Sequence, residues 1–157
     1  MNDTNLRMLE SSLGMTVGEA SVLEPIMTTR ELSDGDYLIS EGTSDDSLHV
    51  LLAGKLEVVK KTGAGEIASL AVLREGDLAG ELSFIDGEEH TVGLRALCDT
   101  RVISLARDDF ETIVDDHPQL VYKLMSAVAR SAHKIVRRMN SEFIELSNYI
   151  FKQHGRY

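Results

Sequence analysis

The chain has 157 residues, 43% of them hydrophobic, which is enough for one well-filled core and too short for a comfortable second full domain. Its only cysteine, Cys98, excludes an intramolecular disulfide and is typical of a reducing compartment. No apolar run reaches the roughly 18 residues of a membrane span, and the polar N-terminus lacks the apolar segment of a secretion signal. We therefore expect one cytoplasmic domain over residues 1–157, away from membranes.

The formal net charge of −10 is unevenly distributed. Residues 1–116 hold 9 lysines and arginines against 24 aspartates and glutamates, whereas residues 117–157 hold 7 against 2. An acidic surface repels nucleic acid, so we expect no such partner for most of the surface. The basic end has two interpretations: an arm that binds nucleic acid, or the polar face of a helix whose cations suit its C-terminal half.

Residues 1–29 are predicted to be helical. Thr16 and Glu19 have the spacing of a capping box, and Val22, Leu23 and Ile26 begin an apolar face at helical spacing. Another turn or two of helix is expected before them. It would contain the apolar residues Leu6, Met8, Leu9 and Leu13.

Residues 30–107 have a different pattern, in which short apolar runs alternate with glycines and aspartates. Regularly spaced short strands of this kind are typical of an antiparallel sandwich or barrel. No helical stretches separate them, which argues against a parallel sheet. We predict a mainly β fold, an antiparallel jelly roll (double-stranded β-helix) with flanking helices. The predicted strands cover residues 37–39, 48–52, 56–60, 67–73, 92–97 and 102–105.

Residues 108–157 return to a helical pattern, a short helix followed by a long C-terminal one. Asp108 is predicted to cap the short helix, and Pro118 lies where the first turn of the next helix accepts proline. The long helix carries an apolar stripe that is longer than a small β-roll covers. Either this stripe meets a second copy, giving a homodimer, or the helix folds back over its own roll. The stripe contains Leu124, Val128, Ala132, Ile135, Met139, Phe143, Leu146 and Ile150.

An ordered series of motifs runs through residues 23–139. It consists of two strands and a turn at 30–42, a hairpin at 48–58, a glycine-rich cassette at 76–84 and an exit to the helices at 100–110. The series resembles the cyclic-nucleotide-binding domains of catabolite activator proteins and kinase regulatory subunits. The resemblance implies a regulatory module of signal transduction that binds cyclic AMP or cyclic GMP.

The resemblance also implies roles for residues of the cassette. Glu81 would accept a charge-assisted hydrogen bond from the ribose 2′-hydroxyl, and Gly80 would let the backbone approach the sugar closely. The amides of Leu82 and Ser83, in a short turn after Glu81, would form a nest for the phosphate. On spacing alone, Gly80 would simply serve a turn and Glu81 would be an ordinary solvated acid.

The phosphate position departs from the family pattern, which has an arginine followed by a small residue. This chain has His90 and Thr91 there, preceded by Glu88 and Glu89. Histidine is mostly neutral at pH 7 and lacks the bidentate fork of arginine, and two glutamates add negative potential. The missing contact would cost roughly 2–4 kcal/mol, or about thirty- to a thousand-fold in affinity.

Three interpretations of His90 remain open. It binds the phosphate weakly, and better when it is protonated; it lines a pocket for a different ligand; or the pocket has lost its ligand and His90 is merely exposed. The long helix has Ile135 and Val136, which carry no hydroxyl, about where relatives approach the base. Recognition of the base is therefore expected to be weak as well.

Other chemistry finds little support in the sequence. The five histidines form no His-x-His cluster, the single cysteine cannot hold an iron–sulfur cluster, and no nucleophile–base pair stands in a recognisable motif. We expect no enzyme activity, no metal and no cofactor.

Two functional hypotheses follow. In the first, the chain senses a small ligand and passes the signal through its dimer helix or to a partner protein. In the second, it is a protein-interaction or dimerisation module that kept the fold and lost the nucleotide. Activators of this family append a helix-turn-helix domain, and the 18 residues after Met139 are too few for one. We therefore expect no direct DNA binding.

Overall fold

Two helices precede the sheets in the computed structural model, which describes residues 3–154. The predicted capping box of the second helix is confirmed. Thr16 Oγ1 accepts from the Glu19 amide at 3.2 Å, and Glu19 Oε1 accepts from the Thr16 amide at 3.1 Å. These two bonds satisfy amides that a helix start otherwise leaves without partners. The helices are α1 (Asp3–Leu13) and α2 (Val17–Leu23), followed by a 3-10 turn at Glu24–Ile26.

The middle of the chain folds into eight strands. They are β1 (Thr28–Leu32), β2 (Tyr37–Ile39), β3 (Ser47–Ala53), β4 (Leu56–Lys61), β5 (Ile67–Leu73), β6 (Leu78–Ala79), β7 (Gly93–Ala96) and β8 (Thr100–Ala106). One antiparallel sheet has the order β1-β8-β3-β6 and the other the order β2-β7-β4-β5. Strands that are distant in sequence, such as β1 and β8, are neighbours. The predicted antiparallel jelly roll is thereby confirmed.

β3 separates two hydrophobic cores. Its alternate residues Leu48, Val50 and Leu52 pack against the helices, whereas Leu51 belongs to the core between the two sheets. A strand that is buried on both faces is expected to read as a continuous apolar run, as residues 48–52 do apart from His49. The first core joins β3 to α1, α2 and the C-terminal helices, and the second fills the interior of the roll.

Three further helices complete the chain: α3 (Glu81–Asp86), α4 (Arg107–Glu111) and α5 (Pro118–His154). α5 begins at Pro118 as predicted. α3 was not predicted, because six residues are too few to show a helical period. The predicted cap by Asp108 is wrong: the residue before α4 is Ala106, two positions earlier, and the Arg107 amide donates to the Asp46 carbonyl at 3.0 Å. A loop carbonyl thus serves where a side-chain cap was expected.

α5 is 37 residues long, and only its first part is covered by the rest of the chain. Leu120, Leu124, Ala127 and Val128 are buried in the core on the helix side of β3. Between residues 132 and 154, the side chains that the structure describes are exposed, apart from the half-buried Ser147. No described helix, α5 included, has the length and apolar character needed to cross a membrane.

The turn between β3 and β4 depends on a glycine, which gives a stability test. Gly54 has φ +94°, and an added Cβ would lie 2.5 Å from Thr100 Oγ1 and 2.7 Å from the Asp99 carbonyl oxygen. We expect Gly54→Ala to lower the free energy of unfolding by about 3 kcal/mol, because backbone strain adds to overlap with β8. Urea denaturation followed by circular dichroism measures the loss.

Gly35→Ala is the matched control for this substitution. Gly35 has a similar φ of +89°, but nothing lies within 4 Å of the added Cβ. We expect the free energy of unfolding to fall by only about 1 kcal/mol, because this variant carries the cost of the left-handed backbone conformation without any overlap. Equal losses for the two variants would show that the close approach of Gly54 to β8 contributes nothing.

Candidate ligand site

The turn between β6 and α3 contains a glycine at a place where no side chain fits. Gly80 has φ +76°, a left-handed conformation, and directly precedes α3. An added Cβ would lie 2.7 Å from the Ser47 carbonyl oxygen and 3.2 Å from the His49 ring. Both the conformation and the contact with β3 therefore require glycine. The start of α3 is held directly against the strand that separates the two cores.

The carboxylate of Glu81 contacts the long helix. Glu81 is the first residue of α3 and is half-buried, and its Oε1 accepts a hydrogen bond from Ser131 Oγ of α5 at 2.7 Å. A second contact joins the same segments, because Lys134 Nζ lies 3.3 Å from Asp77 Oδ1. The acid that the resemblance assigns to the sugar thus binds α5 in this structure.

The next two residues of α3 point to different environments. Leu82 is 67% exposed, whereas Ser83 is buried with its hydroxyl 3.3 Å from Ser44 Oγ. The amides of a first helical turn lack acceptors within the helix, which leaves those of Leu82 and Ser83 suited to an anion. At the other end of α3, the Arg107 guanidinium donates to the carbonyls of Ser83 and Phe84 at 2.9 and 2.8 Å. Arg107 therefore positions α3 rather than facing the site.

His90 belongs to a network that sequence reasoning missed. Asp45 Oδ1 accepts from His90 Nε2 at 2.9 Å, and Asp45 Oδ2 accepts from His49 Nε2, also at 2.9 Å. His49 Nδ1 lies 2.6 Å from Ser104 Oγ on β8. The His90 side chain is only 8% exposed, so the interpretation of His90 as merely exposed is wrong. Asp45 stands in a polar loop, and nothing in the sequence marks it as a partner for residues 4 and 45 positions away.

The charge of this network bears on anion binding. Partial burial raises the pKa of Asp45, but the hydrogen bonds from His49 and His90 lower it by more, so that it lies well below the usual range of a carboxyl group. Asp45 is consequently ionised at neutral pH. A fixed negative charge therefore contacts the imidazole at the position where the resemblance places the phosphate.

The loop between β2 and β3, residues 40–46, contacts several parts of the candidate site. The Gly42 amide donates to the His90 carbonyl at 2.8 Å, and the His90 amide donates to the Thr43 carbonyl at 2.7 Å. Glu41 Oε1 accepts from Lys60 Nζ at 3.3 Å, and the same ammonium donates to the carbonyl of the exposed Thr91 at 2.8 Å. The loop thus brings residues of β4 and of the segment before β7 together.

The predicted site residues therefore fall into two groups. The first group lies along the loop 40–46 and the strand that follows it, and consists of Gly80, Ser83, His90 and Thr91. In the second group, Glu81 contacts α5 and Leu82 is exposed to solvent. Sequence reasoning missed Asp45, His49 and Lys60, which carry charge or donors next to these residues. Within the described part of the chain, no group of three or more His, Cys, Asp and Glu side chains could hold a metal ion.

Comparison with curated proteins identifies relatives of this architecture. The CRP-like cAMP-activated global transcriptional regulator of Mycobacterium tuberculosis is 26% identical over 112 residues, which are 71% of this chain and 48% of the regulator. The chain thus spans about half the length of this relative.

Solved structures share the fold. A cyclic nucleotide-binding domain from Methylobacillus flagellatus superposes with a TM-score of 0.83 at 20% identity, covering 89% of this chain and 83% of that domain. The N-terminal domain of a transcriptional regulator from Streptomyces coelicolor gives 0.71 at 28% identity, covering 85% and 95%. The family model described as the cyclic nucleotide-binding domain matches residues 29–117, more than half of the chain. On this evidence the chain belongs to the cyclic nucleotide-binding domain family.

Proposed function

We propose that this chain is a regulatory module that binds cyclic AMP or cyclic GMP weakly and passes the binding event to α5. Its relatives support the coarser statement, a ligand-binding regulatory module. The observation that carries the proposal is the contact between Glu81 Oε1 and Ser131 Oγ at 2.7 Å. It joins the residue expected to bind the sugar to the helix expected to carry the output.

The sugar side of the site suits a ribose. Glu81 begins α3 and offers a carboxylate to the 2′-hydroxyl, and Gly80, whose missing side chain makes room for β3, fixes the start of that helix. The ligand hydroxyl would compete with Ser131 for the same carboxylate. A hydrogen bond to a charged group contributes about 1.5–3 kcal/mol, so the two partners are closely matched. Binding would therefore shift the position of α5 between two populations.

The phosphate side limits the affinity. The ionised Asp45 carboxylate contacts His90, so an incoming phosphate meets a negative charge and an imidazole that is already engaged. We therefore expect binding to be weak.

A second function is supported by the exposed C-terminal part of α5. We expect this part of the helix to pair with a second copy of the chain. Large apolar side chains remain exposed along this segment, and pairing of two such helices would cover them. On this hypothesis the module dimerises, or holds a partner protein, whether or not it binds a nucleotide. The exposed residues are Ile135, Val136, Phe143, Ile144, Leu146, Ile150 and Phe151, each 45–75% exposed.

The sugar contact is tested by titration calorimetry with cyclic AMP and cyclic GMP at about pH 6 and pH 8. We expect binding in the high-micromolar to millimolar range. Glu81→Gln should weaken it by about tenfold or more, because it removes a charge-assisted acceptor. Glu66→Gln, an exposed acid on the turn between β4 and β5, is the control and should bind as the wild type does. Absence of binding at millimolar nucleotide at both pH values would exclude the sensor function.

The phosphate contact is tested by His90→Arg. A guanidinium can pair with Asp45 and with a phosphate simultaneously, so we expect the affinity to rise by about tenfold or more. His133→Arg is the matched control, since His133 is exposed on α5. Unchanged affinity in His90→Arg, with binding intact in the wild type, would mean that His90 does not line the phosphate position.

The role of α5 in assembly is tested by truncation after Val136. The buried part of the helix ends at Val128, so the truncated chain should keep its core and its thermal transition. Sedimentation velocity should show a dimer for the full chain and a monomer for the truncated one. A truncated chain that remained dimeric would place the interface elsewhere.

A further inference from the structure

Lys60 lies on the inner face of β4, near the end of the strand. The positions of its neighbours on β4 indicate this orientation. β4 pairs regularly with β7, and Leu56 and Val58 belong to the core between the sheets. Because side chains alternate along a strand, Lys60 continues this inner face, whereas Lys61 follows the outer one. Lysine is rarely found on an inner face. The other inward positions of β4 are apolar, so Lys60 stands out among them.

The ammonium of Lys60 lies beside the phosphate position. Its Nζ is 2.8 Å from the Thr91 carbonyl oxygen and 3.3 Å from Glu41 Oε1. Thr91 directly follows His90, the residue that replaces the family arginine. An ammonium has three donors, so these two contacts leave one for a ligand. The side chain is 48% exposed, which leaves it room to move on its flexible stem.

Glu41 does not depend on Lys60 for its charge. Its Oε2 accepts from the backbone amide of Lys61 at 3.1 Å, and this bond lowers the pKa of Glu41. The carboxylate therefore keeps a donor when the Lys60 ammonium turns away. Lys60 can exchange Glu41 for another anion without leaving a carboxylate unpaired.

We propose that Lys60, held beside Thr91, is the cation of an anion subsite in this chain, which takes the phosphodiester monoanion of a cyclic nucleotide. The inference rests on the proposed function. Lys60 supplies a permanent positive charge, whereas the His90 imidazole is already held by Asp45. In this chain the charge comes from β4 rather than from the segment before β7. Glu41 is the internal competitor for the same ammonium.

The nucleotide arm of the test uses the full chain. Lys60→Gln should weaken the binding of cyclic AMP or cyclic GMP by about tenfold or more and remove most of its dependence on salt. Lys61→Gln, the neighbouring lysine on the outer face, should stay within about twofold of the wild type. Glu41→Gln keeps an acceptor for the Lys61 amide but removes the competing charge, so it should tighten binding several-fold.

A second arm uses inorganic phosphate, which needs no sugar contact. The amide resonances of residues 90 and 91 should shift with phosphate in the wild type and in Lys61→Gln, and not in Lys60→Gln. Shifts that persist in Lys60→Gln, or that are absent in the wild type, would overturn the anion subsite. Failure of the wild type to bind either nucleotide would overturn the proposed function, while shifts that depend on Lys60 would still support the subsite.

Discussion

Burial of β3 on both faces is the constraint on which the rest of this structure depends. Leu48, Val50 and Leu52 face the helices, and Leu51 faces the interior of the roll. At about 1.5–3 kcal/mol for each large apolar side chain, this strand fixes both layers at once. The site is built on the same strand, since Gly80 packs against its backbone and His49 holds Asp45.

The phosphate side combines charges of opposite sign that are held by different elements. Asp45 is fixed by two imidazoles, whereas Lys60 is held by a carbonyl and by an acid that has another donor. The Asp45 carboxylate is engaged on both oxygens, whereas the Lys60 side chain is 48% exposed. On the proposed subsite, an anion would contact Lys60 and leave the contacts of Asp45 in place.

Few polar contacts hold α5 against the cassette. The Glu81–Ser131 hydrogen bond and the exposed Lys134–Asp77 pair join the two segments, and an exposed ion pair contributes only about 0–1 kcal/mol. Among the side chains of α5 that the structure describes, Val128 is the last buried one, so the described part beyond it is not held in the core. A ligand that binds with modest differential affinity can shift such a balance.

The sequence by itself determined six of the eight strands, the capping box at Thr16, the start of α5 at Pro118 and the jelly roll, because period, turn residues and caps are local properties. It did not predict β6, and β1 begins at Thr28, inside the segment predicted to be helical. It did not reveal α3, which is too short to show a period, and it misplaced the cap of α4. Only the tertiary structure decided that His90 binds Asp45, that Lys60 reaches Thr91 and that Glu81 reaches Ser131, pairs that are 45, 31 and 50 residues apart. Such contacts depend on which elements the closed roll brings together, and no local pattern in the chain records that.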